Sequence, residues 1–144
     1  MQMLKLVALD EEDLAIVSAH VQDAVMKVEY LDFARGARQF VLTMNRFAWE
    51  KARGGKRAND ERRQSVLSFA RVLGVKANRV DPKRKTDVLS LLAIRFLPGE
   101  APAGAIELDF AGNATVRLEV ECIEARLTDI GGAWRASSRP AHKV

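Results

Sequence analysis

The sequence is poor in the residues that build metal centres and disulfide bonds. Its 144 residues include one cysteine, Cys122, and two histidines, His20 and His142, which lie far apart in the chain. A single cysteine excludes an internal disulfide bond and a cysteine-based zinc site, which leaves only metal sites built entirely from carboxylates. We therefore expect no metal and no cofactor, and a reducing compartment, the cytoplasm.

Long hydrophobic runs and phosphate-binding glycine motifs are also missing. The apolar run at residues 88–94 is seven residues long, against about twenty for a membrane-spanning helix. The apolar start, residues 1–9, is followed at once by four acidic residues at 10–13, so we expect neither a signal peptide nor a membrane span. The absence of P-loop and dinucleotide-binding glycine patterns argues against the common nucleotide-binding classes.

The net charge of +4 is concentrated in two segments. Residues 51–63 carry six basic and two acidic side chains, and residues 76–85 carry five basic and one acidic, whereas the remaining 121 residues carry 12 basic and 16 acidic, a net of −4. Such clusters can bind nucleic acid or another anionic partner, although no aromatic residue lies inside either segment to stack on a base. The alternative is that both segments are solvated loops that aid solubility. The candidate anion-binding residues are Arg53, Lys56, Arg57, Arg62, Arg63, Lys83, Arg84 and Lys85.

The densest stretch of large apolar residues, 39–50 (QFVLTMNRFAWE), predicts the central strand of a hydrophobic core. Apolar residues alternate from Phe40 to Met44 with the strand period of two. The next large apolar residue, Phe47, comes three residues after Met44, and Trp49 follows two residues later. One extra residue near Asn45–Arg46, a β-bulge, would return all five side chains to one face. The pattern therefore predicts a strand with a bulge near its end.

Three further segments have readable patterns. Asp10 followed by three acidic residues is typical of a helix N-terminus, and apolar spacing predicts a helix over residues 11–22. Strict alternation over residues 106–122, interrupted at Gly112, predicts a β-hairpin. Residues 119–130 fit either a helix or a continued strand, and the pattern leaves both open.

Together these segments predict an α+β domain. About seven strands would form a mostly antiparallel β barrel or sandwich, for which a pleckstrin-homology-like split barrel is one arrangement. An N-terminal helix would pack on it, joined by a C-terminal helix if that segment is helical. We expect one globular domain over residues 1–134 and a disordered tail over residues 135–144.

Three stretches resemble a family of small bacterial proteins that is classed as a domain of unknown function. They are LKLVALDEEDLAIVSAHVQDAV at residues 4–25, FVLTMNRFAWE at 40–50 and IELDFAGNATVRLEVECIEARLTDIG at 106–131. The resemblance implies a small cytoplasmic bacterial protein without an assigned activity. It supplies no catalytic residues that could be placed on this sequence.

The sequence identifies no substrate, and three functional hypotheses remain. The leading one is a non-enzymatic binding module that presents its basic loops, or the open edge of its sheet, to an acidic protein or a nucleic acid. The second is a small-ligand binder or enzyme whose pocket contains the bulge residues Asn45 and Arg46 together with Trp49. In the alternative for this site, Arg46 pairs with a structural acid. The third is a homo-oligomer that forms through an exposed strand edge.

Overall fold

The computed structural model describes residues 3–48, 61–130 and 134–135, which form one α-helix and eleven β-strands. In chain order the elements are β1 (Lys5–Ala8), α1 (Glu11–His20), β2 (Val25–Lys27), β3 (Leu31–Ala34), β4 (Gln39–Phe47), β5 (Glu61–Phe69), β6 (Val72–Asn78), β7 (Val88–Pro98), β8 (Gly104–Phe110), β9 (Ala114–Val120), β10 (Ala125–Asp129) and β11 (Trp134–Arg135). Short 3-10 turns, Val28–Tyr30 and Arg35–Ala37, flank β3. Every strand pair is antiparallel, which confirms the predicted antiparallel β fold.

The strands form one open sheet. Their order is β1-β10-β5-β4-β2-β7-β8-β9-β6, with β3 paired to β4 and β11 paired to β5 outside this path. Strand β7 joins the two halves of the sheet, because its first residues pair with β2 and its later residues pair with β8. Within the described ranges β1 and β6 pair with one strand each, so the ends do not join and the expected barrel is not closed.

One continuous hydrophobic core lies between the two halves of the sheet and the helix. Leu42 from β4 and Leu118 from β9 are both fully buried in it, although they belong to different halves. Helix α1 adds Leu14 to the core and is tied to β7 because Ile94 N donates a hydrogen bond to Ser18 Oγ at 2.9 Å. The core therefore depends on alternate strand positions and on one helix face.

The predicted helix and the predicted hairpin are both confirmed. Asp10 caps α1, and its side chain accepts a hydrogen bond from Asp13 N at 2.8 Å. The β8–β9 pairing closes at Phe110–Ala114, which leaves a three-residue loop, and within it Gly112 at φ +84° and Asn113 at φ +61° adopt the left-handed conformation that glycine and asparagine tolerate best. The helices in the described ranges are too short or too polar to cross a membrane.

The predicted bulge in β4 is wrong. The register between β4 and β5 runs without a shift from Phe40–Phe69 to Phe47–Arg62. Burial continues with a period of two through Arg46, which is fully buried, while Phe47 points to the opposite face. The apparent jump in apolar spacing arose because a charged residue occupies a core position.

The C-terminal helix is also absent, and the strand number was underestimated. Residues 125–129 form β10, in which Ala125, Leu127 and Asp129 are buried at a period of two. Residues 25–34 form two short strands, because the 3-10 turn Val28–Tyr30 separates β2 from β3. The domain and tail boundaries stay predictions, because residues 136–144 lie outside the described ranges.

Candidate functional site

Only some of the candidate site residues that the sequence predicted lie in the part of the chain that the structure describes. Trp49 and the basic residues Arg53, Lys56 and Arg57 lie outside the described residues. Asn45 and Arg46 have their side chains on opposite faces of β4, so they do not converge on one pocket.

Two of the predicted anion-binding residues belong to β5 rather than to a loop. The guanidinium carbon of Arg62 lies 3.9 Å from the centre of the Phe47 ring. Arg63 is fully buried and is the cross-strand partner of Arg46. Both side chains are therefore packed against the sheet.

Arg46 forms a buried ion pair with Asp129. Arg46 Nε donates to Asp129 Oδ1 at 3.1 Å, and Arg46 Nη2 donates to Asp129 Oδ2 at 3.0 Å. The two side chains are 0% and 1% exposed. Two parallel hydrogen bonds of this kind fix both the distance and the orientation of the two groups.

The Asp129 carboxylate receives further hydrogen bonds from neighbouring strands. Ser65 Oγ donates to Oδ1 at 2.6 Å, and Leu4 N donates to Oδ2 at 2.9 Å. Burial raises the pKa of Asp129, but the hydrogen bonds from Arg46, Ser65 and Leu4 outweigh this effect and hold the pKa below its ordinary value. Arg46, Ser65 and Asp129, which we call the buried cluster, thus link β4, β5 and β10 to the start of β1.

The sequence pattern did not identify Ser65 or Asp129, although pairing of Arg46 with a structural acid was one of its two interpretations. A period of two read strictly along residues 63–69 and 123–129 would have placed both on the core face. The contacts of the buried cluster are internal, so its role is to hold strands together. A surface for a partner must be sought elsewhere.

The second basic segment forms an ordered loop, residues 79–87, which we call the cationic loop. Inside it, Arg84 N donates to Asp81 O and Asp87 N donates to Arg84 O, each at 3.0 Å. Lys83 N donates to Asp81 Oδ1 at 2.9 Å. The three bonds hold the middle of the loop as a sequence of tight turns.

The cationic loop is also bound to the rest of the fold. Val28 N donates to Asp87 O at 2.9 Å, and Glu29 N donates to Lys85 O at 3.1 Å. Val80 packs against the hydrophobic core. The loop thus has a defined conformation, with its backbone anchored and its charged side chains directed outward.

Four exposed cations lie on the cationic loop or just before it, and none of them takes part in an ion pair among the described residues. We call them the cation cluster; they are Lys76, Arg79, Lys83 and Lys85. Arg84 differs from them, because its Nε contacts Asp87 Oδ2 at 2.7 Å and this hydrogen bond raises the pKa of the guanidinium. The cation cluster therefore carries charge that is available to a partner.

A shallow, open depression of about 520 Å³ lies beside these cations. Its lining includes Arg79 and Arg84, but also Asp81 and Asp87. The mixed lining places carboxylates beside the cations, so this depression is not a purely positive anion pocket. Among the described side chains, no group of three or more His, Cys, Asp or Glu is arranged to hold a metal ion.

The two basic segments attach to different parts of the sheet. Arg62 of the first segment lies on β5 opposite Phe47, whereas the cationic loop is bound just before β3, whose Leu31 pairs with Leu42. Five residues of extended strand separate Leu42 from Phe47, which is about 17 Å. Among the described residues, the two segments therefore do not form one continuous basic site.

Comparison with curated proteins finds no match, and comparison with solved structures finds none either. A family model described as "Protein of unknown function (DUF2948)" matches residues 4–142, which is nearly the whole of the 144-residue chain. This match confirms the resemblance to a family of unknown function that the three sequence stretches predicted. The chain therefore belongs to the DUF2948 family.

Proposed function

We propose that this protein is a non-enzymatic binding module that holds an acidic partner protein on its cationic loop. The observation that carries the proposal is the cation cluster: four exposed cations that form no ion pair among the described residues. They lie on or beside a loop whose backbone is held by internal turns and by hydrogen bonds from Val28 and Glu29. A surface that is ordered before binding loses less conformational freedom when the partner arrives. The complementary charges would speed encounter and select acidic partners.

The position of the acidic groups favours a protein partner over a nucleic acid. Asp81 and Asp87 lie within the cationic loop, beside Lys83 and Lys85. A continuous phosphate backbone would meet these carboxylates as well as the cations, and repulsion would offset part of the attraction. A protein can place single carboxylates against single lysines and leave the two aspartates facing neutral groups.

The experiment is a titration of the protein with fluorescein-labelled poly-glutamate, followed by fluorescence anisotropy at low salt. We expect binding that weakens as salt rises, because these exposed charges are screened. The double variant Lys83→Gln/Lys85→Gln should bind at least about fivefold more weakly. It removes two exposed cations from a loop whose backbone hydrogen bonds it leaves in place.

The matched control is Lys5→Gln/Arg126→Gln. It changes the net charge by the same amount through two exposed residues of β1 and β10. If the two double variants weaken binding equally, affinity follows total charge and the cationic loop is not the site. Duplex DNA is the second probe, and tighter binding of DNA than of poly-glutamate at equal salt would contradict a protein partner.

A further inference from the structure

Strand β6 has a free hydrogen-bonding edge. Among the described strands it pairs only with β9, from Val72–Val120 to Asn78–Thr115. On its other side, the single backbone hydrogen bond within the described chain is Val72 N to Arg38 O at 2.9 Å. The outward N–H and C=O groups of residues 73–78 therefore have no partner in that part of the chain, and an extended peptide can bind such an edge as an added strand.

The described part of the chain leaves much of β6 accessible to solvent. Residues 76–79 are exposed, and Leu73 is 50% exposed. A Cβ atom built on Gly74 would meet no atom within 4 Å. The 3-10 turn Arg35–Ala37 lies beside the start of β6, so an added strand would pair along the later residues of β6.

Charge on the outer face of the sheet shows which peptide fits this edge. Arg95, Glu107, Arg117 and Lys76 lie opposite one another on β7, β8, β9 and β6. Glu107 contacts both arginines, and its Oε2 lies 3.4 Å from Arg117 Nη1. The signs alternate across the face until the edge, where Arg117 and Lys76 bring two cations together. A carboxylate on an added strand opposite Lys76 would continue the alternation.

We infer that β6 binds an extended acidic segment of a partner protein by strand addition. One carboxylate of the segment lies beside Lys76, and the next acidic residues reach the cationic loop, which directly follows β6. This inference rests on the proposed function and adds to it the form in which the partner binds. Backbone hydrogen bonds to β6 would supply affinity, and the cation cluster would supply the preference for acidic sequences.

Charge also argues against a second copy of β6 as the occupant. Antiparallel pairing of two β6 strands would bring two copies of Lys76 and Arg117 to one interface, and like charges on adjacent strands are destabilising. Lysine on an edge strand, together with the register shift between Val72 and Gly74, is a feature that discourages unspecific pairing. An acidic strand would meet complementary charge at the same place.

The test uses a short, fluorescein-labelled peptide of alternating valine and glutamate. As a strand beside β6 it places glutamates on the face of Lys76 and valines on the face of Val75. Two further peptides carry N-methyl groups, one on all glutamate amides and the other on all valine amides. Their charge and number of methyl groups are the same, but only one set of amides can face β6.

We expect one methylated peptide to bind like the parent and the other to bind about tenfold more weakly, because it cannot donate to the edge. Amide hydrogen exchange at residues 73–78 should slow when the parent peptide binds. Lys76→Gln should weaken binding of the peptide, whereas the exposed control Lys5→Gln should not.

Each contrary outcome has a distinct meaning. If both methylated peptides bind like the parent, strand addition is overturned, while the poly-glutamate titration still decides the proposed function. If poly-glutamate binds and the alternating peptide does not, strand addition is likewise overturned. If light scattering shows self-association that the peptide cannot reverse, a second copy occupies the edge and the inferred partner is wrong.

Discussion

The buried cluster uses the same chemistry as the exposed ion pairs of Arg95, Glu107, Asp109 and Arg117, which we call the outer-face ladder, but in different surroundings. Arg46 contacts Asp129 at a point where four strands meet, and both side chains are almost completely buried. Arg95 contacts Asp109 at 2.6 Å with half of its own side chain exposed. Short contacts between guanidinium and carboxylate groups therefore occur in both regions. The two regions differ in how far water reaches the ion pairs.

This difference decides what each ion pair can do. In the buried cluster, loss of one partner leaves an uncompensated charge inside the protein, which costs far more than the pair contributes when intact. At the surface, water and salt replace a lost partner at little cost. Exposed arginines and lysines can therefore release one carboxylate partner and bind another, as a binding surface requires. A buried pair cannot make this exchange.

The largest expected effect comes from Asp129→Asn. This variant keeps the shape of the side chain but leaves the Arg46 guanidinium buried without its countercharge, so we expect a loss of about 3–5 kcal/mol in the free energy of unfolding. Urea denaturation followed by circular dichroism measures it. Asp109→Asn is the matched control, because it makes the same substitution in an ion-pair partner of the exposed Arg95. Equal losses for the two variants would contradict the comparison.

A smaller effect is expected for Ser65→Ala. The variant removes the hydroxyl that donates to Asp129 Oδ1 at 2.6 Å and accepts from Arg46 Nε at 3.2 Å. Arg46 and Leu4 still bind the carboxylate, so we expect a loss of about 1–3 kcal/mol, measured by the same denaturation. Ser68→Ala, on the opposite face of β5, is the control. A loss at Ser68 as large as that at Ser65 would show that the buried cluster is not the cause.

Most of the fold could be predicted from alternating apolar residues, and the main errors came from the buried cluster. Arg46 occupies a core position in β4, so the apolar pattern there broke and suggested a bulge. Asp129 does the same in β10, where the pattern left helix and strand both open. In a local sequence pattern, the charged residues of a buried ion pair cannot be told from exposed residues. The burial of Arg46 depends on a partner 83 residues away in the chain.

The candidate site was predictable only in its composition. Lys83 and Lys85 could be selected because basic residues are concentrated there. The sequence could not show that Lys85 O accepts a hydrogen bond from Glu29 N, which is distant in the chain. Nor could it show that Arg84 is paired with Asp87 while its neighbours are not. Which charges are available depends on local geometry, and net charge does not report it.

Acid should distinguish the buried cluster from the surface as well. The pKa of Asp129 is lower in the folded protein than in the unfolded chain, where an aspartate has a pKa of about 3.9. The folded state therefore binds fewer protons, and this contribution to stability is fully present above about pH 4 and is lost as pH falls through the lower folded pKa. We expect Asp129→Asn to show a weaker pH dependence of unfolding than the wild type below about pH 4. Identical pH profiles for the two proteins would contradict the lowered pKa.

The smallest effect is expected for Arg95→Gln on the outer face. Its partners Glu107 and Asp109 are partly exposed and can be solvated when the arginine is lost, so we expect a change below about 1 kcal/mol in the free energy of unfolding.

Thermal denaturation of the variants and the wild type at low and at high salt tests the comparison more sharply. The small difference between Arg95→Gln and wild type should vanish at about 1 M NaCl, because salt screens exposed pairs within a few ångströms. The large difference caused by Asp129→Asn should persist at the same salt, since ions do not enter the buried cluster. Persistence of both differences would mean that the ladder is as protected from solvent as the buried cluster, and then its arginines could not exchange partners at the surface.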